Sequence, residues 1–429
     1  MKKKILFFDY WTVGIHNFLP VAERLRTRGV DCMLLHLGSW QDPTIPTEET
    51  IQGVSCRDIR AYGGDLRRAL VAEEPYAVLS LNTSMIMDRT LHRLCRSLSI
   101  RTVYMMHGVI ATGTDHDLSL RLLNRHWNLS RRLGKLRKYA GLSVSYLKAI
   151  AQDRVIDLLH PATYGHFVQL VLQPGAAFEH PWKHKDGCAD EALVYAPVYR
   201  DLMIEARGYS PERVTVVGNP NLDDVFALKK RQDAAAVFAE YAARIGLPSG
   251  RRFAVYIEDG FVEQGGVGWT DDIRVAEIGQ VAAATNAAGL DLVVKMHPVS
   301  RTEPVLAHFS GKPGVRVLLK ADLPKLLGAS VAAVGHVSTA LMIPIALDKP
   351  LLVPAWSQGM ELSKGNYAQE GVAEVITDPA ALTSAFRDLD GVREKLQGSR
   401  RRFEEQFIGP MDGGAWDRIV ERVLRAATH

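Results

Sequence analysis

Short, uninterrupted apolar runs alternate along this chain with stretches of helical periodicity. Ile5-Leu-Phe-Phe8 is the first run, suited to a strand buried on both faces, and Phe18, Leu19, Val21, Ala22 and Leu25 follow at helix-face spacing. Arg28-Gly29 ends that helix, and Asp31-Cys-Met-Leu-Leu-His-Leu37 begins the next strand. A strand, helix, strand unit of this kind puts its first loop, Asp9 to Asn17, at the carboxyl end of its first strand. The pattern recurs with Tyr76 to Asn82, a helix carrying Leu91 and Leu94, and Thr102 to Gly108, then with Ala192 to Ala196 and Val214 to Pro220.

A second series starts after the breaker Pro248-Ser-Gly250. Its predicted strands are Phe253–Ile257, Leu292–Met296, Val315–Leu318, Val331–Val334 and Leu351–Val353, separated by helical stretches. Two consecutive series predict an α/β protein of two Rossmann-like domains facing each other across a cleft, with ligands beyond the carboxyl ends of the strands. The expected boundaries are an N-terminal domain over 1–228, a hinge over 229–250, a C-terminal domain over 251–400, and a last helix over 401–429 packing back on the first domain.

The 429 residues fit two or three domains at roughly 150 residues each, and 47% hydrophobic with 23% charged residues excludes a disordered or collagen-like chain. A formal charge of +4 is too small to imply nucleic acid. Four scattered cysteines without a CxxC pair fit a reducing compartment, and no apolar window is long enough to cross a bilayer. The expected location is cytoplasmic, with room for a peripheral role at the inner face of the cell membrane. That room comes from one segment, 118–152, which carries eight cations and no acid. Arg121, Arg125, Arg131, Arg132 and Lys135 interleave there with leucines and Trp127, the pattern of an interfacial membrane helix, of a grip on an anionic acceptor, or of a solvated helix packed on its own domain.

The polar residues with chemical promise all follow predicted strands. His297-Pro298 closes Leu292–Met296, and an imidazole there can stabilise charge on a departing phosphate. Gly335-His336-Val337-Ser338-Thr339 joins a strand to an apolar helix, so Ser338 and Thr339 fit either a phosphate-binding helix start or a plain N-cap. Glu258-Asp259-Gly260 ends another strand, and one of its two carboxylates is a candidate general base, although the same residues also make a common surface turn. In the first series, His16 and His107 stand in strand-end loops and are candidates to activate an acceptor hydroxyl; each taken singly has an ordinary structural reading.

Val216-Val-Gly-Asn-Pro-Asn-Leu-Asp223, Lys295-Met-His-Pro298, Gly335-His-Val-Ser-Thr339 and Leu347-Asp-Lys-Pro350 together resemble GT-B glycosyltransferases of the bacterial capsule, teichoic-acid and sialic-acid group. That group includes CDP-glycerol glycerophosphotransferases, polysialyltransferases and capsular Kdo transferases. The resemblance implies Asp259 as base with Glu258 as its alternate, His297 as leaving-group partner, and a donor-phosphate set of Ser338, Thr339, His336, Lys295, Pro298 and Gly260. The acidic motif here lies in the second domain rather than the first, which leaves His16 and His107 open for the base role. The expected activity is metal-independent transfer of a sugar or polyol phosphate from a CMP- or CDP-linked donor to a polysaccharide, glycoconjugate or lipid-linked acceptor, with no bound cofactor and no metal. The alternatives are a non-hydrolysing UDP-N-acetylglucosamine 2-epimerase, whose Asp-Ser-Gly-Gly stretch is replaced here by His336-Val-Ser-Thr339, and a non-catalytic nucleotide-sugar or glycan-binding protein.

Overall fold

The computed structural model describes residues 4–40, 42–83, 86–108, 188–247, 250–264, 268–356 and 367–426. The basic segment 118–152, with Arg121, Arg125, Arg131, Arg132 and Lys135, lies outside the described residues. Those described fall into two compact units: residues up to 108, 188–220 and 414 onward form the first, and 221–413 the second.

The first unit is an eight-stranded sheet in the order β3-β4-β2-β1-β5-β6-β7-β8. Its strands are β1 (Lys4–Asp9), β2 (Asp31–His36), β3 (Glu48–Ile51), β4 (Val54–Asp58), β5 (Ala77–Ser80), β6 (Arg101–Met105), β7 (Glu191–Val194) and β8 (Val214–Val216). All neighbours run parallel except β3 and β4. Ile5 to Phe8 are buried on both faces, as an apolar run in a helix-covered parallel sheet must be. Helix α1 (Ile15–Arg26) lays Phe18, Val21, Ala22 and Leu25 on that sheet, and α2 (Leu66–Glu73), α3 (Ile86–Ser97) and α4 (Pro197–Arg207) complete the crossovers. The C-terminal helix (Ala415–Ala426) joins this unit, adding Ile419, Val420 and Val423 to the same core.

The second unit holds six parallel strands in the order β11-β10-β9-β12-β13-β14: β9 (Phe253–Ile257), β10 (Asp291–Lys295), β11 (Val315–Leu318), β12 (Ala332–Val334), β13 (Leu351–Pro354) and β14 (Glu374–Ile376). The first three strands of the series run out one way from β9 and the next three the other way. This doubly wound order reverses between β9 and β12, where such sheets open a crevice at the strands' carboxyl ends. In the first unit the same reversal falls between β1 and β5. Helix α5 (Asp223–Lys230) and α6 (Ala234–Arg244) open the second unit. Helix α7 (Asp271–Ala287) starts at Thr270, whose side chain accepts from the Ile273 amide, and buries Ile278, Val281 and Ala282 against β9 and β10.

Three expectations differ in detail. The stretch 229–250, read as a hinge, contains α6, and Tyr241 of that helix is part of the second unit's core. The segment 401–429 is not one helix. A helix over Leu389–Phe403 and the turn following it belong to the second unit, and only the part from Gly414 belongs to the first. The β3–β4 hairpin was not anticipated; its turn puts Gln52 at φ 48° and Gly53 at φ 78°, and its outer strand is polar.

Candidate functional site

In the second unit, Glu258 and Asp259 follow β9 and splay to opposite sides, as adjacent residues on an extended chain do. Glu258 turns toward β10: its Oε2 accepts from the His297 amide at 3.1 Å and the Ser300 hydroxyl at 2.5 Å, and its Oε1 accepts from the Gly260 amide at 3.0 Å. Arg274, fully buried in the first turn of α7, stands 3.5 Å from the same Oε1. Asp259 turns toward β12 and takes the amides of His336 and Val337, each at 3.3 Å. The Lys295 ammonium donates to the carbonyls of Met296 and Leu319. Four neighbouring strand ends, those of β11, β10, β9 and β12, are thus laced by these side chains. Gly260 stands at φ +70°, a conformation open to glycine and costly for most other residues.

The electrostatics follow from this burial. Asp259 is 7% exposed, and burial pushes its carboxyl up to about 6 against the opposing pull of His336 and the two amides. Burial lowers Lys295, with Glu258 opposing. His336, expected among the phosphate ligands, instead turns its ring into the core: it is 1% exposed, and its Nε2 lies 2.8 Å from Glu277 Oε1, which also accepts from the Tyr256 hydroxyl. Phe261 and Trp269 flank the ring. Burial would lower His336, but Glu277 and then Asp259 outweigh it and raise the imidazole above its ordinary value. Glu258 and Lys295 are likewise committed to framework contacts.

The groups left facing outward are fewer. His297 is half-buried, and its Nδ1 accepts from the Val299 amide at 3.3 Å, so the neutral ring carries its proton on Nε2 as a donor. Burial holds its pKa below the ordinary value, opposed by Glu258 and reinforced by Lys295. Ser338 accepts from the Ala340 amide and caps the 3₁₀ turn Thr339–Leu341, a shorter element than the apolar helix expected there; Thr339 is exposed. Pro298 is also exposed. Lys295, His297, Glu258, Asp259, His336 and Ser338 therefore do gather at one sheet edge.

In the first unit, His107 follows β6. Its Nδ1 is 2.9 Å from the Leu81 carbonyl, which can only accept, so Nδ1 carries the proton and Nε2 keeps a free lone pair. Burial lowers its pKa, with the Leu81 contact opposing. The next amide, Gly108, donates to the Tyr195 hydroxyl at 3.1 Å. His16 is exposed in the first turn of α1.

Asp9, at the end of β1, was passed over in the sequence because there it marks only the end of an apolar run. It is 7% exposed, and the hydrogen bond found for its carboxylate among the described residues comes from the Tyr10 amide at 2.7 Å. Burial raises it to about 6. A β-carbon on Gly14 would fall 1.5 Å from Asp9 Oδ2, so the glycine that precedes α1 is what admits the carboxylate. An acid closing an apolar strand, with a glycine opening the next helix, was the legible signal. Among the described residues no group of three or more His, Cys, Asp or Glu side chains is placed to hold a metal ion, and no helix is long and apolar enough to cross a membrane.

No family model and no curated protein matches the sequence. Solved structures match over nearly its whole length. The wall teichoic acid polymerase TagF is 13% identical with a TM-score of 0.56, over 99% of this chain and 89% of that one. A putative UDP-N-acetylglucosamine 2-epimerase from Listeria monocytogenes is 12% identical with a TM-score of 0.54, over 99% and 96%. CalG4, the calicheamicin glycosyltransferase, is 14% identical with a TM-score of 0.51, over 99% and 98%. At these identities the likeness is one of fold: two Rossmann-like α/β domains, as in the GT-B glycosyltransferases.

Proposed function

We propose that this chain is a GT-B transferase that moves a sugar or polyol phosphate from a nucleotide donor, a CMP- or CDP-linked one, to a polysaccharide, glycoconjugate or lipid-linked acceptor. The observation that carries this reading is the pair of opposite tautomers at strand ends. His107 offers a bare Nε2, the state of a proton acceptor, and His297 offers an Nε2–H, the state of a donor to an anion. In the proposed step the acceptor oxygen forms its bond to the transferred group as its proton passes to His107 Nε2. The bond to the nucleotide phosphate breaks in the same displacement, and the charge left on that phosphate is met by His297 Nε2–H with Ser338 and Thr339. Both carboxylates after β9 are engaged within their own edge, which favours His107 over Asp259 and Glu258 as base. A nucleotide donor is supported by the TagF structure obtained with CDPG, whose fold this chain shares.

A melting-temperature panel of CMP, CDP, UMP, UDP and GDP tests the donor, since a ligand of the folded state raises its stability by mass action. Cytidine nucleotides are expected to give the largest shift. Donor turnover then tests the roles. His297→Ala and His107→Ala are each expected to lower it about 100-fold or more, the latter with donor affinity unchanged. Equal background turnover in wild type and both variants sinks the catalytic reading. Epimerisation of UDP-N-acetylglucosamine without any acceptor would replace it with the epimerase alternative, whose fold is equally close.

A further inference from the structure

At the carboxyl end of the first unit's sheet, the loop from Asp9 to Asn17 leaves β1 beside the reversal between β1 and β5. Ile5 and Phe7 pack with α1, and Asp9, next in that alternation, faces the same way into the niche left by Gly14. Its Oδ1 accepts from the Tyr10 amide; its Oδ2 accepts nothing among the described residues, yet it is not sealed from solvent. Farther along the loop, the Thr12 hydroxyl is buried with no hydrogen-bond partner among the described residues. Beyond β5, β6 leads into His107 with its bare Nε2.

Among the described residues no cation balances Asp9. From β2, its register partner is His36, which is fully buried; burial lowers that imidazole against the pull of Asp58, so it is neutral at pH 7. Asp58, opposite His36 on β4, already accepts from Arg60. The ionisable residue in the first turn of α1 is His16, which is exposed, and β5 ends in the uncharged Ser80. On the other face of the sheet, the Tyr10 hydroxyl is raised first by burial and then by Asp88 of α3 together with Asp9, so α3 contributes a second carboxylate there. An ammonium group is the complement of such a place. It brings one positive charge and three donors without an acceptor, where an anion would be repelled and a neutral hydroxyl would leave the carboxylate uncompensated.

We propose that Asp9 recognises an ammonium group on the acceptor, which makes the acceptor class an amine-bearing saccharide. The word acceptor rests on the transferase reading; the ammonium site itself does not, because it needs no donor and no turnover. Asp9 is thereby a specificity residue, separate from the proton transfer assigned to His107.

Glucosamine, titrated into the full chain at pH 7 and constant ionic strength, is the direct probe, with glucose and N-acetylglucosamine as the matched neutral sugars, read by calorimetry. Wild type is expected to bind glucosamine saturably and both neutral sugars about tenfold or more weakly. Burial holds the free Asp9 carboxyl near 6, and a bound cation pulls it down, so binding at pH 5.5 is expected to release protons and its heat to vary with the ionisation enthalpy of the buffer. Asp9→Asn is expected to lose both the preference and the proton release while melting no lower than wild type at pH 7, which separates lost recognition from unfolding. His297→Ala is expected to keep glucosamine binding whatever its donor turnover, so the ammonium site and the transferase reading fail separately. Equal binding of the three sugars, a preference retained in Asp9→Asn, or a buffer-independent heat at pH 5.5 would each overturn the proposal.

Discussion

Asp9 and Asp259 end two different parallel strands, are equally buried and both stand near a pKa of 6, yet their surroundings differ. Asp259 holds two backbone amides and stands beside the His336 imidazole, all three of which favour its charged form against burial. Asp9 has one local amide against full desolvation. A folded-state pKa raised from 3.8 to about 6 means that the native state binds the proton more tightly than the unfolded chain. Stability contributed by Asp9 is therefore highest in acid and falls as pH rises toward 6, leaving a penalty on the order of 3 kcal/mol at neutral pH. Asp9→Asn is expected to raise the urea midpoint at pH 7 and to change it little at pH 4. A midpoint that drops at pH 7 would show that favourable contacts hold the carboxylate. Carboxylates kept at such a cost tend to cluster at functional sites, which marks the β1 edge for attention beside His107. At this scale the sequence was informative about residue type and strand-end position, which is how His107, His297 and Asp259 were found. It was silent about direction. The inward turn of His336 depends on Glu277, 59 residues away along the chain, and no local pattern encodes that.

The element that decides this direction is α7. It brings Arg274 to Glu258 and, near its middle, Glu277 to His336 and Tyr256. One helix thus anchors the loops after both β9 and β12, the strands that flank the reversal of the sheet. Strands with continuous apolar runs were readable because burial on both faces leaves no room for alternation. The polar β3 strand and the short β14 strand, Glu374–Ile376, lack that signature and were missed. Ser338 and Thr339 were placed correctly at a strand-to-helix turn, but Pro344 sits among the residues that follow, and the helix there is five residues long. The raised His336 pKa gives the anchor a defined pH signature. A histidine raised by its partner contributes stability that is present below its unfolded value of 6.5 and is lost as pH rises through the folded value. Glu277→Gln is expected to destabilise the second unit by about 2 kcal/mol or more below pH 6.5, because it strands a buried cation. The deficit should shrink toward alkaline pH. A deficit independent of pH between 5.5 and 9 would mean that the pair acts through packing alone.

The whole molecule is two units with separate cores, threaded so that the first cannot be completed until the second has been passed. The chain leaves the first unit after Pro220 and returns to it at Gly414. Alternating strands and helices made both sheets legible, but the return is set by Gly413 at φ +84° and by which core Ile419, Val420 and Val423 can fill. Those side chains pack with Phe18, Val21 and Leu25 of α1, and Arg418 Nε donates to the Val217 carbonyl at 2.8 Å. At about 1.5 to 3 kcal/mol for each fully buried aliphatic side chain, their removal costs on the order of 5 to 8 kcal/mol, comparable with the whole stability of a typical domain. Deletion of residues 414–429 is therefore expected to unfold the first unit selectively. Amide exchange should lose protection in β1, β5, β6 and α1 and keep it in β9, β10 and β12. If donor binding resides in the second unit, the truncated chain should still show the melting shift with a cytidine nucleotide while its transferase turnover disappears, because His107 would no longer be held on a folded β6 edge. Loss of protection spread equally over both sheets would show that the two cores fold as one cooperative body, and retained turnover would remove His107 from the mechanism.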